Sequence, residues 1–327
     1  LRRLAVALRD GHAQVRGGHD RDLFGEANAA LRLRWVDGAA VVSRHVHPLA
    51  RALGARVGDT VARVDGQPAA RRRERLLPLL PAGNPGARDL YAANRLLAGP
   101  AGSEARLGLR APGGAVRDVR LPRDPSLFPG ESVPERETPP VRRFPDGVGY
   151  LDLDRLDPER IPEAMERLRG CRGLLVDLRG QARGNGWALA PYLAPAEGTP
   201  LARFVCPVVA AEPFLAGGAL ERSVTVRAAR APWRFRAPVL CLVDARTQSQ
   251  AELAALFLVA CGARCVGAPT AGALGDVVDI RAGDGVRVSF SGQRVYGADG
   301  RPAWEAGVPL ARRLRESAAG IAAGRDE

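Results

Sequence analysis

From residue 144 onward the sequence alternates short apolar runs with helix-length stretches, and this alternation limits most narrowly what it can fold into. The runs 148–153, 173–178, 238–243 and 263–267 have the length and Val/Leu content of buried strands. Between them, 162–168, 187–193 and 250–261 read as helices. Strands that alternate with helices build a parallel α/β layer structure. No apolar run reaches the ~18 residues that a membrane-crossing helix needs.

The first half follows other rules. Leu1, Leu4, Ala5 and Leu8 fall at helix spacing over 1–15, and Asp10-Gly11 supplies a stop. Residues 1–28 therefore read as the end of a helical segment. Since the sequence starts inside it without a Met, an upstream portion, with any signal peptide, is expected to have been removed. Residues 29–124 carry short strands and turns: Val57-Gly58-Asp59 leads into a strand that ends at the Asp65-Gly66 turn. Gly113-Gly114 separates the alternating run at Ala105, Leu107 and Leu109 from 116–121, which predicts a hairpin. The Pro-rich stretch 125–143 reads as a linker, 144–315 as the α/β core, and 316–327 as a small polar tail with a frayed helix.

Composition excludes some partners. A net charge of +12 invites a nucleic-acid reading, but all 48 basic residues are arginine, they are scattered, and aromatic residues are only 5%, too few for base stacking. The five cysteines form no CxxC pair and no His stands at metal spacing, so neither a zinc site nor another metal or cofactor is expected.

Chemistry concentrates around Ser249, in Val243-Asp244-Ala245-Arg246-Thr247-Gln248-Ser249-Gln250-Ala251-Glu252. A strand ends there and a helix begins. Ser followed three residues later by Glu is also a capping box, a purely structural role. A hydroxyl among the unpaired N–H groups of a helix start can equally serve acyl transfer, because those groups stabilise a developing oxyanion. The pattern alone does not choose.

Three segments carry a family resemblance. Ser249-Gln250-Ala251-Glu252 resembles the nucleophile box of the S41 serine peptidases, the C-terminal-processing or tail-specific proteases. Gly262 to Gly272 is similar to the segment that follows that box, and Gly173-Leu174-Leu175-Val176-Asp177-Leu178-Arg179-Gly180 to the strand that precedes it. The resemblance spans roughly 140–312 and implies a ClpP/crotonase-like α/β peptidase core. Leu53 to Gly66 and the Gly99-to-Ser103 turn resemble a PDZ domain, which implies a β-rich PDZ-like domain over 29–124 that takes up the C-termini of polypeptides.

The resemblance also implies roles. Ser249 is the expected nucleophile. Many members pair it with a lysine at the position occupied here by Leu274, and this sequence has no lysine, so the dyad is impossible. The histidine branch, which includes tricorn, fits instead. His12, in Leu8-Arg9-Asp10-Gly11-His12-Ala13, resembles its general base, since imidazole titrates near neutral pH. His19, His45 and His47 lack that context. Glu305, in Trp304-Glu305-Ala306-Gly307-Val308-Pro309, resembles the glutamate that orients the histidine, although a surface glutamate before a turn would read the same. The oxyanion hole falls to the backbone of Gln250, Arg183 and Gly184. Here the sequence departs from the family: Arg183 stands at a customary glycine, Gln181 replaces an asparagine, and Gly11 replaces the serine that tricorn carries beside its histidine.

These features predict a serine endopeptidase for unfolded or tagged polypeptides, with no nucleic-acid partner and with self-association compatible. The family resemblance favours an extracytoplasmic location. The alternative is an impaired homologue that binds peptides without cleaving them. A crotonase-type acyl-CoA enzyme has no need of Ser249, His12 and Glu305 together.

Overall fold

The computed structural model describes residues 1–17, 23–127, 136, 138–208, 218–227, 231–283, 285–304 and 306–325. Its central sheet has six strands in the spatial order Leu310–Arg313, Arg264–Gly267, Val239–Val243, Gly173–Asp177, Val148–Asp152 and Val141–Arg143. All neighbours are parallel except the last pair. The helices Ile161–Arg167, Asn185–Leu193 and Gln250–Ala260 fall where the alternation placed them.

Gln250–Ala260 is apolar on every side, and Ala251 through Leu258 are all buried. Such a helix needs partners all round. It packs on Asn185–Leu193 and on the strands Pro200–Val208 and Arg294–Gly297 of a separate three-stranded sheet. Gly186 allows the helix crossing: a Cβ there would lie 2.7 Å from the Ala254 Cα. Trp187 meets Phe257 edge-on at 4.6 Å, and fully buried Phe257 anchors the layer.

The β-rich domain has its own core, built on Leu33, Val42, Val61, Leu107, Leu109 and Leu121. Its sheet runs Asn28–Ala29, Val116–Asp124, Glu104–Arg110, Thr60–Val64, Ala39–His45 and Leu31–Val36, with Gln67–Pro68 added to Thr60–Val64. The hairpin expected across Gly113-Gly114 pairs Glu104–Arg110 with Val116–Asp124. At the other turn Asp65 and Gly66 both take positive φ, 51° and 78°, which a two-residue hairpin turn requires. The helices Ala69–Leu76 and Pro85–Arg95 complete the domain.

The N-terminal helix is shorter than its periodicity implied, Arg2–Ala7. Leu1, Leu4 and Leu8 are more than half or half exposed, so its apolar stripe finds no core to extend it. The backbone turns at Arg9 (φ 50°) and becomes a strand, Gln14–Arg16, paired with Arg287–Ser291, which in turn pairs with Val277–Arg281. The tail is a helix, Ala318–Ala322, docked on the β-rich domain: the Ala318 N–H donates to Asp37, and Gly58 lies directly against Ala322. No helix among the described residues is long and apolar enough to cross a membrane.

Candidate active site

The turn after Val239–Val243 is held from both sides. Thr247 is buried; its Oγ1 donates to the Leu178 carbonyl at 2.9 Å and accepts from the Asp244 N–H at 3.1 Å. This joins the ends of two adjacent parallel strands, the edge of an α/β sheet where ligands bind. Burial pushes the Asp244 carboxyl up, but Arg246 and Arg34 outweigh it and hold the group well below the usual carboxylate range.

Ser249 ends the turn at φ 55°, ψ −114°. A non-glycine residue there stores on the order of 1–3 kcal/mol of strain and persists only where its surroundings impose it. The constraint is visible: the Ser249 N–H donates to the Ala273 carbonyl at 3.0 Å and to Glu252 Oε2 at 3.3 Å. Strand, strained serine and helix together project a hydroxyl over the helix N-terminus.

Glu252 does reach back to the Ser249 backbone as a capping box would, and it does more. Its fully buried carboxylate also accepts from Thr270 Oγ1 (2.6 Å), the Gly272 N–H (2.8 Å) and the Ala273 N–H (2.8 Å). It therefore ties the 270–273 segment to the Ser249 turn. Burial raises its pKa to about 7 against the pull of these four donors.

His12 is 8% exposed, and its ring is oriented by residues that the sequence did not single out. Nδ1 lies 2.9 Å from Ser291 Oγ, and Ser291 Oγ donates to Asp10 Oδ1 at 2.9 Å. Asp10 further accepts from the Ser291 N–H at 2.6 Å and the His12 N–H at 2.9 Å. A hydroxyl has one proton. Ser291 spends its proton on Asp10, so it accepts from Nδ1–H, and the network assigns the lone pair to Nε2. Burial lowers the His12 pKa, while Asp10 and Asp276 oppose that shift.

Gly11, the residue before His12, and Ser249 meet the same residue, Ala273. A Cβ on Gly11 would sit 2.5 Å from the Ala273 Cβ, and the Ala273 carbonyl holds the Ser249 N–H. Tyr91 bridges further, donating to Gln248 Oε1 at 3.1 Å. A cavity of about 660 Å³ opens beside this junction, with Gly11, Tyr91, Gln248, Phe24, Leu80 and Arg95 among its walls. Gly11 thus stands where a side chain would collide, which accounts for the missing serine.

Of the remaining expected residues, Gln250 opens the helix that Ser249 precedes. Arg183 and Gly184 form the turn into Asn185–Leu193, whose Gly186 packs on Ala254 of the helix that Gln250 opens. Arg183 takes φ 40°, the left-handed conformation that its glycine counterpart would adopt freely. Glu305 and His19 lie outside the described residues. His45 bonds the Ala55 carbonyl, and His47 caps Pro48–Ala52, both within the β-rich domain. Leu274 is buried in the main core. Asp10 had a signal in its place two residues before His12, where it read as part of a stop; Ser291 had none.

No protein-family model matches the sequence, and no curated protein matches it. Solved structures do. Mature CPAF in complex with lactacystin aligns over 98% of this protein and 84% of its own length, at 16% identity and a TM-score of 0.68. The photosystem II D1 C-terminal processing protease aligns over 96% and 80%, at 20% identity and a TM-score of 0.52. An S41 protease described as putative, from Bacteroides fragilis, aligns over 96% and 82%, at 16% and 0.52. At such identities the likeness is one of fold: this protein has the mixed α/β, several-sheet architecture of S41-type proteases.

Proposed function

We propose that this protein is a serine peptidase of the S41 type that cleaves polypeptides, with Ser249 as nucleophile and His12 as general base. The observation that carries the proposal is the Asp10–Ser291–His12 series of hydrogen bonds, which leaves Nε2 as the basic nitrogen on a segment whose Gly11 packs on Ala273, the residue that holds the N–H of strained, helix-capping Ser249. Nε2 takes the proton as Ser249 Oγ attacks the scissile carbonyl, then returns it to the leaving amine; water repeats the sequence on the acyl-enzyme. Backbone N–H groups of Gln250 and of the Arg183-Gly184 turn are the candidate oxyanion donors. The lack of lysine, with a histidine in this role, favours the tricorn-like branch. With Nδ1 bonded to Ser291, the carboxylate that orients His12 through that hydroxyl is Asp10, and Glu305 is left to the wider network around the site.

The β-rich domain is read as PDZ-like. Leu31–Val36 is an edge strand of its sheet with helix Pro85–Arg95 packed against it, an arrangement to which an extended polypeptide terminus can add a strand. Turnover of an unfolded protein by the wild type and by Ser249→Ala tests the whole reading: equal rates would refute it. One observation favours a second reading, a peptide binder without hydrolysis. Arg183 holds a strained left-handed backbone where glycine is customary, and a displaced N–H there would cost oxyanion stabilisation.

A further inference from the structure

A cleft of about 560 Å³ lies where the β-rich domain, the central sheet and the C-terminal helix meet, and its walls carry seven arginines against a single carboxylate, Glu316. Arg34 and Arg44 come from the strands Leu31–Val36 and Ala39–His45, and Arg325 from beyond the helix Ala318–Ala322. The central sheet and its loops supply the rest. Three of these are braced from behind: Arg136 by Asp152 at 2.6 and 2.9 Å, Arg179 by Asp177 at 2.8 Å, and Arg246 by Asp244 at 2.8 Å. Asp152 and Asp177 are fully buried, so these carboxylates fix the guanidinium planes from within the wall. Arg142 makes no ion pair among the described residues; its guanidinium stacks 4.9 Å from the centre of the Phe144 ring, which meets Tyr150 edge-on.

Glu316 pairs with Arg34 at 3.7 Å, and Asp152, Asp177 and Asp244 offset three more arginines. The seven arginines still outnumber these carboxylates, and a concave wall with such an excess focuses a positive field into the cleft. Planar guanidinium forks match the geometry of phosphate and carboxylate groups. We propose that this cleft binds a small multivalent oxyanion, a phosphate- or carboxylate-bearing molecule, that bridges the β-rich domain to the central sheet. Arg246 and Asp244 belong to the turn that leads to Ser249, and Arg34, from the other domain, acts on the same Asp244 carboxyl. The anion thus joins the edge strand of one domain to the nucleophile turn of the other. The site is independent of whether Ser249 is catalytic.

The test is calorimetric titration with sodium pyrophosphate and with sodium citrate at constant ionic strength, with sodium chloride as the control, alongside thermal unfolding. Saturable binding with a Kd below about 1 mM and a rise in Tm are expected. The stronger of the two anions distinguishes a phosphate-bearing from a carboxylate-bearing ligand. The double variant Arg142→Ala/Arg325→Ala should bind about tenfold or more weakly. Should that variant fail to fold, Arg325→Ala alone, at an exposed position, should still weaken binding about threefold. Absence of saturable binding by either anion, or binding indifferent to these arginines, overturns the proposal.

Discussion

Ser249, Arg183 and Arg9 are among the few described non-glycine residues with positive φ, and two of these three flank the candidate oxyanion hole. Their strain gives separable predictions. Ser249→Ala should remove peptide hydrolysis and leave the fold intact. Ser249→Gly should be equally inactive but about 1 kcal/mol more stable than the alanine variant, because glycine accepts that backbone. Chemical denaturation of the two variants measures this. Arg183→Gly should gain about 1 kcal/mol in the same way and raise kcat if the turn supplies an oxyanion donor; an unchanged kcat would remove Arg183 from that role. His12 gives a pH prediction. Burial lowers its pKa below the ordinary imidazole value, so the base is already neutral there, and the rising acid limb of kcat/KM should lie below about pH 6.5. Asp10 raises that pKa, so Asp10→Asn should move the limb to still lower pH while reducing kcat, a combination that a purely structural loss would not produce. Gln250, exposed and neutral after the nucleophile, offers no counter-charge for a basic side chain. A peptide library should therefore show no tenfold preference for Arg or Lys before the scissile bond.

Among the elements, the helix Gln250–Ala260 depends most on close packing. A methyl group at Gly186 would press on the Ala254 backbone at 2.7 Å, and backbone lacks the freedom of a side chain to swing aside. Gly186→Ala should cost about 1–3 kcal/mol, read as a lower Tm, and should reduce kcat because the Arg183-Gly184 turn moves with it. The α/β elements were legible in the sequence because each buried strand is a short apolar run and each helix is bounded by turn residues. The nucleophile turn was legible as a cap, and Ser249 does have that contact with Glu252. The base was half legible. His12 stood out by motif, but its orientation depends on Ser291, 279 positions away in the sequence, and local pattern carries no information about such a pairing. The strand Gln14–Arg16 was hidden for the same reason: its partner is Arg287–Ser291, and three residues are too few to show a period of two.

At the scale of the whole molecule, the β-rich domain is joined to the core at the candidate site itself. Asn84 caps the helix Pro85–Arg95 through the Ala87 N–H at 3.0 Å, and its Nδ2 donates to the Thr270 carbonyl at 2.6 Å. Thr270 is bonded to Glu252, and Glu252 to Ser249. Tyr91, on the same helix, holds Gln248. Neither link could be read from sequence, since each crosses from one domain to the other. Both make the domain part of the scaffold around Ser249 rather than a tethered adaptor. The most direct measurement of the central claim is covalent labelling by a fluorophosphonate, located by mass spectrometry, in the wild type and in His12→Ala. Modification of Ser249 alone, with its rate rising with pH to a plateau near neutrality and slowed by orders of magnitude without His12, is the expected result. Absence of modification over hours, or labelling of Ser249 at the same rate in His12→Ala, would contradict the assignment of nucleophile and base.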